Sequence, residues 1–595
     1  MPFPKPTIAH MLLASALTFL PVMFLPVAAL AETGASGTEA GGAEAGSEAP
    51  LSEAGAYLAA AVASSQSDYA AAVQWYDRAL GGDPSNPALL EGAVMAHIGT
   101  GDMEGAAKLA RALQAAGGKT QTGTVALIAD DAKRDDYAAI LKEQAAGGSA
   151  GKVLDDLVKA WAKLGLGRMS EATEAFDKMA KTKGLETFGL YHKALALASA
   201  GDYEGAENIL SGKAAGGFLL SRRGMIATAE ILSQLERNPE AVAMLDRNFP
   251  VGNDLEIDAL RHRLTAGEPV PFTIVRNATD GIAEVFFSMA NAVRGEADPA
   301  YTLLHARAAA YLRPDNTEAV LLVAGLLEQQ GQHDLATQAY AQVPPTDANF
   351  HIAEIGRSNA SFAAGRPEAA IEILQGLARA HGDILAVQVA LADGMRRQQR
   401  YDESLKAYDA AIKMVPTPAP NHWVLFYSRG VVADQLKQYD AAEADFRRAM
   451  ALSPDEPELL NYLGYSLVDQ GRKLDEALGM IKRAVIMRPD SGPILDSLGW
   501  AYYRLGRYTD ALLPIEQASL RMAVDATVTD HLGDVYWAVG RKREAEYQWH
   551  RALSYGPDDK LAARLRLKLE KGLDAVLAAE GAAPLKPVEA AAAAP

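Results

Sequence analysis

Two glycine-rich segments and eleven histidines are the residues of this chain whose types and spacing could do chemistry. Residues 146–153 resemble a phosphate-binding loop but lack its first Gly and its final Ser or Thr, whereas residues 117–120 have the end of that motif without its beginning. No strand pattern precedes either segment, so neither predicts a nucleotide site. No two histidines have the i, i+4 spacing with Glu of a zinc-hydrolase helix, and a Gly-x-Ser-x-Gly turn is absent. The sequence therefore predicts a protein that is not an enzyme and has no metal or cofactor site.

The composition of the chain excludes several further classes of function. The chain of 595 residues has no cysteine, which excludes a cysteine nucleophile, a thiolate metal site and a lipid anchor on a thiol. Its formal net charge of −18 repels phosphate, and its Lys and Arg residues form no long one-sided stripe, so we expect no nucleic-acid partner. A hydrophobic content of 49% with only 7% aromatic residues is typical of short, closely stacked helices.

The elements that must position any functional residue follow from a repeat of about 34 residues. A small residue, which lets two helices cross closely, marks the middle of each unit. In the C-terminal half this residue is Ala290, Ala324, Ser358, Ala392, Gly430, Gly464, Gly499 or Gly533. Upstream the ladder is fainter and runs through Ala60, Val94, Ile128, Ala160, Ala194 and Ala229. One helix pair cannot bury its apolar face alone, so the period predicts about fourteen stacked helix pairs.

These repeats resemble the tetratricopeptide repeat. Its first-helix signature is matched closely by Leu463-Gly464, by Leu498-Gly499-Trp500-Ala501-Tyr502 and by Leu532-Gly533-Asp534-Val535-Tyr536. The resemblance implies an all-α fold, a tetratricopeptide-repeat α-solenoid in which the helix pairs form a right-handed superhelix. It also implies a protein that binds protein partners or extended peptides.

The N-terminus has the pattern of an export signal. A basic start precedes an apolar run over residues 11–30, and Ala29-Leu30-Ala31 is a small-x-small cleavage site. We expect cleavage near Ala31, a periplasmic location and no lipid anchor. The alternative is an uncleaved membrane anchor, since the run is nearly long enough to span a bilayer, but Pro21 and Pro26 interrupt it.

The remaining boundaries follow from composition and from the ladder. Residues 32–50 are mostly Gly, Ala, Ser and Glu, which predicts a disordered linker. Between Ala229 and Ala290 the ladder falls short of two full units and contains two prolines, which favour either a kink between two arms or an insertion in one loop. The predicted boundaries are a signal peptide over 1–31, the linker over 32–50, an N-terminal array over 51–260, an interruption over 261–285, a C-terminal array over 286–558, a capping helix over 559–580 and a disordered tail over 581–595.

The tetratricopeptide resemblance implies that positions 2, 5, 9 and 12 of each first helix face the concave surface, where position 8 is the small residue of the ladder. In the most regular repeats these positions carry aromatic rings, carboxylates and an amide, which suit an extended peptide that is apolar or basic. The candidate partner-binding groove consists of Tyr427, Asn461, Tyr465, Asp496, Trp500, Tyr503, Asp530, Asp534 and Trp537. The alternative is that these rings only fill the inside of the superhelix.

Residues 460–518 are similar to those of outer-membrane tetratricopeptide-repeat lipoproteins of Gram-negative bacteria, one of which is an adaptor of a carboxyl-terminal processing protease. This resemblance implies a periplasmic scaffold or adaptor that delivers proteins to, or activates, a cell-envelope protease. The chain lacks the lipidated Cys of those proteins. The alternative is a scaffold subunit of an envelope export or outer-membrane assembly complex, for example in polysaccharide secretion, whose partner is a channel.

Overall fold

Helix pairs make up the described part of the chain. The computed structural model describes residues 53–212 and 220–586, and within these ranges it has 31 α-helices, one 3-10 helix and no strand. The prediction of an all-α tetratricopeptide-repeat solenoid is confirmed at the level of the fold. The predicted signal peptide over 1–31 and linker over 32–50 lie outside the described residues, and so do residues 587–595 of the predicted tail.

Six helix pairs and one single helix come first along the chain. The pairs are α1 (Glu53–Ser65) with α2 (Tyr69–Gly82), α3 (Pro87–Thr100) with α4 (Met103–Ala115), α5 (Gln121–Lys133) with α6 (Tyr137–Ala145), α7 (Lys152–Gly165) with α8 (Met169–Ala180), α9 (Glu186–Ser199) with α10 (Tyr203–Leu210), and α11 (Arg222–Gln234) with α12 (Asn238–Asn248). The single helix is α13 (Leu255–Thr265).

Eight further pairs follow, so the described residues contain the fourteen pairs that the ladder predicts. They are α14 (Ala278–Val293) with α15 (Pro299–Leu312), α16 (Thr317–Gln329) with α17 (His333–Tyr340), α18 (Phe350–Ala363) with α19 (Pro367–Ala380), α20 (Leu385–Arg397) with α21 (Tyr401–Lys413), α22 (Trp423–Gln435) with α23 (Tyr439–Leu452), α24 (Pro457–Asp469) with α25 (Leu474–Met487), α26 (Gly492–Arg504) with α27 (Tyr508–Arg521), and α28 (Ala526–Ala538) with α29 (Lys542–Ser554). The 3-10 helix Pro420–His422 precedes α22, and α30 (Asp559–Lys571) and α31 (Leu573–Ala579) follow α29.

Local sequence explains where a helix of this kind begins and ends. Asn86 accepts two backbone hydrogen bonds at the start of α3, and Pro87 occupies its first turn, where the missing N–H does no harm. Gly101 ends α3 with a left-handed φ of 95°. Asp102 directly after it caps α4. A turn of two residues therefore joins the two helices of this pair.

The small residues of the ladder let the second helix of a pair lie directly on the first. A Cβ built on Gly430 of α22 would lie 2.7 Å from the Phe446 ring of α23. A Cβ on Gly533 of α28 would lie 2.3 Å from the Trp549 ring of α29. Both rings are fully buried. A larger side chain at either ladder position would therefore force the two helices apart.

The chain folds back on itself after α13. Residues 266–277 form no helix, and Pro269 and Pro271 lie in this stretch. The next pair then packs against helices far away in the sequence: α14 contacts α5, α7 and α9, while α15 contacts α3, α4 and α5. The sequence favours two alternatives here, a kink between two arms or an insertion in one loop, and neither predicts these contacts. The reason is that the ladder reports only how consecutive units stack.

The helices around this interruption differ from the predicted boundaries. Helix α13 continues to Thr265, past the predicted end of the N-terminal array at 260. Helix α14 begins at Ala278, inside the predicted interruption over 261–285. The stretch without helix, residues 266–277, lies within the predicted interruption or degenerate repeat over 261–285.

The C-terminal end also differs from its predicted form. Instead of one capping helix over 559–580 there are two, because Gly572 between α30 and α31 has a left-handed φ of 79°. Part of the predicted disordered tail is in contact with the solenoid, since the Lys586 N–H donates to the Tyr508 hydroxyl at 3.1 Å. In the described ranges there is no helix whose length and apolar character would let it span a bilayer.

Candidate protein-interaction surface

We call the inner face the side formed by positions 2, 5, 9 and 12 of the first helices, and all nine candidate groove residues belong to it. In the N-terminal half it binds α14. The Trp161 ring of α7 is fully buried, and a Cβ on Gly281 of α14 would lie 2.2 Å from it. The Tyr191 hydroxyl of α9 donates to Glu284 of α14 at 2.9 Å. A helix of the same chain therefore fills this part of the inner face.

A segment without helix, in which Pro269 and Pro271 favour extended backbone, lies on the inner face of α11 directly before α14. The Val270 N–H donates to Ser233 Oγ at 2.9 Å, and Gln234 Nε2 donates to the Val270 carbonyl at 2.7 Å. Three residues later, the Thr273 N–H and hydroxyl donate to the Glu230 carboxylate at 2.8 and 2.6 Å. Burial raises the pKa of Glu230, although the hydrogen bonds from Thr273 oppose this shift. The inner face of this chain thus recognises an extended backbone through side chains.

Buried ion pairs anchor α11 to the returning helices. Arg223 of α11 donates to Glu284 of α14 at 2.7 Å and to Glu318 of α16 at 3.3 Å. Burial opposes the charge on Arg223, but the two glutamates outweigh it and raise its pKa. Arg222 adds contacts to Asp254 and Glu318, at 2.7 and 2.6 Å. Removing one partner of such a buried pair typically costs about 3–5 kcal/mol, so these pairs hold one arrangement.

The inner face is more open in the middle of the chain. Ile352 and Val424, at position 2 of α18 and α22, are 47% and 48% exposed. Val389, at position 5 of α20, is half-buried. The candidate residue Tyr427 of α22 is also half-buried, with its ring centroid 5.7 Å from that of Tyr462. This part of the inner face therefore presents apolar side chains to solvent.

The candidate residues of α26 form an aromatic stack that extends into α28. Trp500 stacks on Tyr503 and on His531, with ring centroids 4.7 and 4.0 Å away. His531 Nδ1 is 3.0 Å from an Asp496 carboxylate oxygen. Burial opposes the charge on His531, but Asp496 raises its pKa, so the imidazole donates to the carboxylate. Trp500 and Tyr503 are only 9% and 7% exposed.

The candidate residues of α28 are covered by the capping helices. Lys568 of α30 has no exposed side-chain area and donates to Asp530 and to Asp534, each at 2.6 Å. Burial raises the pKa of Asp534 to about 6, although Lys568 acts in the opposite direction. The Trp537 indole N–H donates to Asp574 of α31 at 2.9 Å. In this structure these three candidate residues contact the chain itself.

Among the inner-face side chains with buried polar atoms that lack a hydrogen-bond partner, three lie on α24 and α26. They are the Asn461 Oδ1 oxygen, the Trp500 indole nitrogen and the Tyr503 hydroxyl. Leaving such an atom unpaired costs about 1–3 kcal/mol, and native proteins contain few of them. The neighbouring candidate residue Tyr465 is half-buried. The C-terminal inner face therefore contains polar groups that the described chain does not satisfy.

The structure brings together only part of the predicted groove. Asp496, Trp500, Tyr503, Asp530 and Asp534 form one cluster around His531, Tyr427, Asn461 and Tyr465 lie on α22 and α24, and Trp537 lies under α31. Sequence reasoning missed His531, because it is at position 6, and Lys568, which comes from the capping helix. Two aspartates at successive inner positions of one helix were a signal for a buried cation. In the described part of the chain, no three His, Cys, Asp or Glu side chains are grouped as metal ligands.

Comparisons with known proteins agree with the repeat pattern. Residues 389–457 and 463–525 match the family model described as tetratricopeptide repeat. A TPR repeat-containing protein of Pseudomonas aeruginosa is 28% identical over 144 residues, which are 24% of this chain and only 23% of that relative. The match therefore spans less than a quarter of either protein.

Solved structures that this chain matches include the APC/C hetero-tetramer Cut9–Hcn1 and yeast Tom70. The first has a TM-score of 0.37 and 16% identity and covers 88% of this chain and 96% of that chain. The second has a TM-score of 0.33 and 13% identity and covers 89% and 98%. The matched repeats indicate a scaffold for protein–protein interaction, and no enzyme family is indicated. The finer resemblance to adaptor lipoproteins stays a prediction.

Proposed function

We propose that this protein is an exported scaffold of the bacterial cell envelope that holds an extended segment of a partner protein on the inner face of α18 to α26. One observation carries the proposal. The inner positions of α7, α9 and α11 are filled by the chain itself, whereas Ile352 and Val424 are 47% and 48% exposed. Exposed apolar side chains on an inner face are what a repeat scaffold offers to a partner.

The proposed partner is a substrate protein of a periplasmic carboxyl-terminal processing protease, or that protease. Support comes from the resemblance over residues 460–518 and from the export pattern over 1–31. The net charge of −18 and the carboxylates around Trp500 favour a partner segment that is apolar or basic.

Affinity purification from the periplasm with mass spectrometry tests the binding surface. The variant carries Ile352→Asp and Val424→Asp, and its matched control carries Leu520→Asp, a residue of α27 that is 79% exposed. We expect the variant to lose its partner more than tenfold and the control to keep it. The same partners at the same yield from both variants would exclude the inner face as the binding surface.

The identity of the captured protein separates the two candidate pathways. A soluble protease or its substrate supports the adaptor role, whereas an outer-membrane channel supports the alternative of an export or assembly complex. Cell fractionation with intact-mass measurement tests the location. We expect a periplasmic protein that begins at Glu32, and a protein that keeps residues 1–31 would contradict cleavage.

A further inference from the structure

The N-terminal inner face shows how this chain holds an extended segment. Ser233, at position 12 of α11, accepts the Val270 N–H, and Glu230, at position 9, accepts the Thr273 N–H. Gln234 donates to the Val270 carbonyl. The bound residues 270–273 read Val-Pro-Phe-Thr, an apolar sequence with a proline that favours extended backbone. Positions 9 and 12 are thus backbone-recognition positions in this protein.

The same two positions on α26 are occupied by Trp500 and Tyr503, and there they lack partners. The Trp500 indole nitrogen and the Tyr503 hydroxyl are buried without a hydrogen bond, and so is the Asn461 Oδ1 oxygen on α24. The two rings are 9% and 7% exposed, so both side chains are more than nine-tenths buried. Burial raises the pKa of the Tyr503 hydroxyl, which keeps its proton available for donation.

We infer that the inner face of α24 and α26 binds an extended, proline-containing apolar segment with one Lys or Arg, and that Asn461, Trp500 and Tyr503 pair with its backbone. This inference rests on the proposed function and specifies the ligand of the same surface. Trp500 only donates and therefore requires a carbonyl, whereas Asn461 Oδ1 only accepts and requires an N–H. An extended peptide presents both groups along its length. A free carboxylate is disfavoured because Asp496 and Asp530 lie in the same cluster.

The C-terminal segment of the chain already lies beside this surface. Residues 584–586 are Pro-Leu-Lys, and the Lys586 N–H donates to the Tyr508 hydroxyl at 3.1 Å. The Tyr508 ring centroid is 5.4 Å from that of Tyr503, and Leu585 packs against the same hydrophobic cluster. The segment leaves the Tyr503 hydroxyl unpaired. A partner segment that pairs it makes hydrogen bonds that the internal segment does not make, and so takes its place.

A synthetic peptide with the sequence of residues 270–276, Val-Pro-Phe-Thr-Ile-Val-Arg, is the probe, with both ends blocked. Its binding to the full-length protein is measured by fluorescence anisotropy. We expect saturable binding that Tyr503→Phe weakens about tenfold, because only one hydroxyl is removed. Leu585→Ser loosens the competing segment and is expected to strengthen binding several-fold. Tyr547→Phe, at a tyrosine of α29 that is 69% exposed, is the matched control and leaves binding unchanged.

A second measurement acts on the probe instead of the protein. N-methylation removes one backbone N–H at a time, and we expect it to weaken binding at alternate residues only, because one face of an extended backbone meets Asn461. Unchanged circular dichroism shows that each protein variant is folded. The inference is overturned if the probe does not bind, if Tyr503→Phe and Tyr547→Phe bind it equally, or if N-methylation has no positional pattern.

The cellular partner distinguishes a failure of this inference from a failure of the proposed function. A partner that is lost with Val424→Asp but retained at full yield by Tyr503→Phe leaves the proposed function standing and overturns the inference. A partner retained by both variants overturns both. A partner lost with both variants supports the continuous path from α22 to α26.

Discussion

The two halves of the solenoid use the same inner positions in opposite ways. On α7, α9 and α11 they bind α14 and the extended residues 270–273 of the same chain. On α24 and α26 they carry Asn461, Trp500 and Tyr503, whose polar atoms are unpaired. A repeat pattern therefore does not decide whether an inner face is core or binding surface. The difference depends on whether the chain returns to cover it.

The sign of the charges is also reversed between the two halves. In the N-terminal half the inner face supplies the cation, Arg223, and the returning helix supplies Glu284. In the C-terminal half the inner face supplies Asp530 and Asp534, and the returning helix supplies Lys568. Because Lys568 compensates both aspartates, their charge holds the capping helix and is not presented to a partner segment.

Lys568→Met should have the largest effect, because it removes the cation between two buried aspartates. We expect the free energy of unfolding of the C-terminal half to fall by about 4 kcal/mol at neutral pH. Lys571→Met, at an exposed residue of the same helix, should change it by less than about 0.5 kcal/mol. Urea unfolding with hydrogen exchange of α30 measures both. Equal effects of the two variants would mean that the Lys568 pairs do not hold the capping helices.

Gly281→Ala tests the filling of the N-terminal inner face. Its Cβ would lie 2.2 Å from the Trp161 ring, which is fully buried and donates to His192 at 3.2 Å, so the ring has no room to move. We expect the free energy of unfolding of the N-terminal half to fall by about 3 kcal/mol. Gly325→Ala in α16 is the control, since nothing lies within 4 Å of its added Cβ. It should stabilise slightly, as Ala favours a helix.

Differential scanning calorimetry of the two glycine variants gives the comparison. A drop confined to the N-terminal transition agrees with α14 as an integral part of that half. A drop of the same size for Gly325→Ala would show that the loss does not come from the contact with Trp161.

Acid should lower the stability of the N-terminal half more than that of the C-terminal half. Burial lowers the pKa of His305 in α15 to about 4 and that of His192 in α9 to about 3. As the pH falls below about 6.5, the unfolded chain binds protons that the folded N-terminal half excludes. Each histidine then costs about 2 kcal/mol of stability between pH 6.5 and pH 5. Burial opposes the charge on His531, but Asp496 outweighs it and raises the pKa of His531 in the folded chain. The pair of His531 with Asp496 therefore contributes its full stability below about pH 6.5, and this stability is lost as the pH rises through the folded-state pKa.

Hydrogen exchange at pH 7 and at pH 5 measures this difference in each helix. We expect α9, α14 and α15 to lose protection first. His305→Phe should flatten the pH dependence, because it removes the titrating group from its contact with Phe286 and Tyr301. His550→Phe, at an exposed histidine of α29, should leave it unchanged. An equal loss of protection in α28 would contradict the prediction that acid destabilises the N-terminal half more than the C-terminal half.

The fold was predictable because the information for it is local. Gly430, Gly464, Gly499 and Gly533 each lie where the second helix of a pair crosses the first, and this contact spans only one repeat. The return of α14 to α7 was not predictable, since Gly281 and Trp161 are separated by more than three repeats and nothing in either segment marks the contact.

Counting from the ladder gave some contacts of the candidate residues but not others, and their role in binding a partner stays a prediction. Counting from the ladder placed Trp500 and Tyr503 on the inner face, and they do stack there. The same counting placed Asp530 and Asp534 in an open groove, but Lys568 of the capping helix lies between them. Periodicity tells which way a side chain points, whereas what covers it depends on a contact between distant parts of the chain.

Position 12 of the first helix can be compared directly between the two halves. Ser233 and Tyr503 are both at position 12, but Ser233 Oγ accepts the N–H of the buried Val270 and the Tyr503 hydroxyl has no partner. Ser233→Ala leaves that N–H unpaired and should cost about 1–2 kcal/mol, whereas Tyr503→Phe removes a buried group without a partner and should stabilise the folded chain by about 1 kcal/mol. Urea unfolding without any partner measures both. If both variants lose stability equally, the folded chain already satisfies Tyr503, and both halves of the inner face are core.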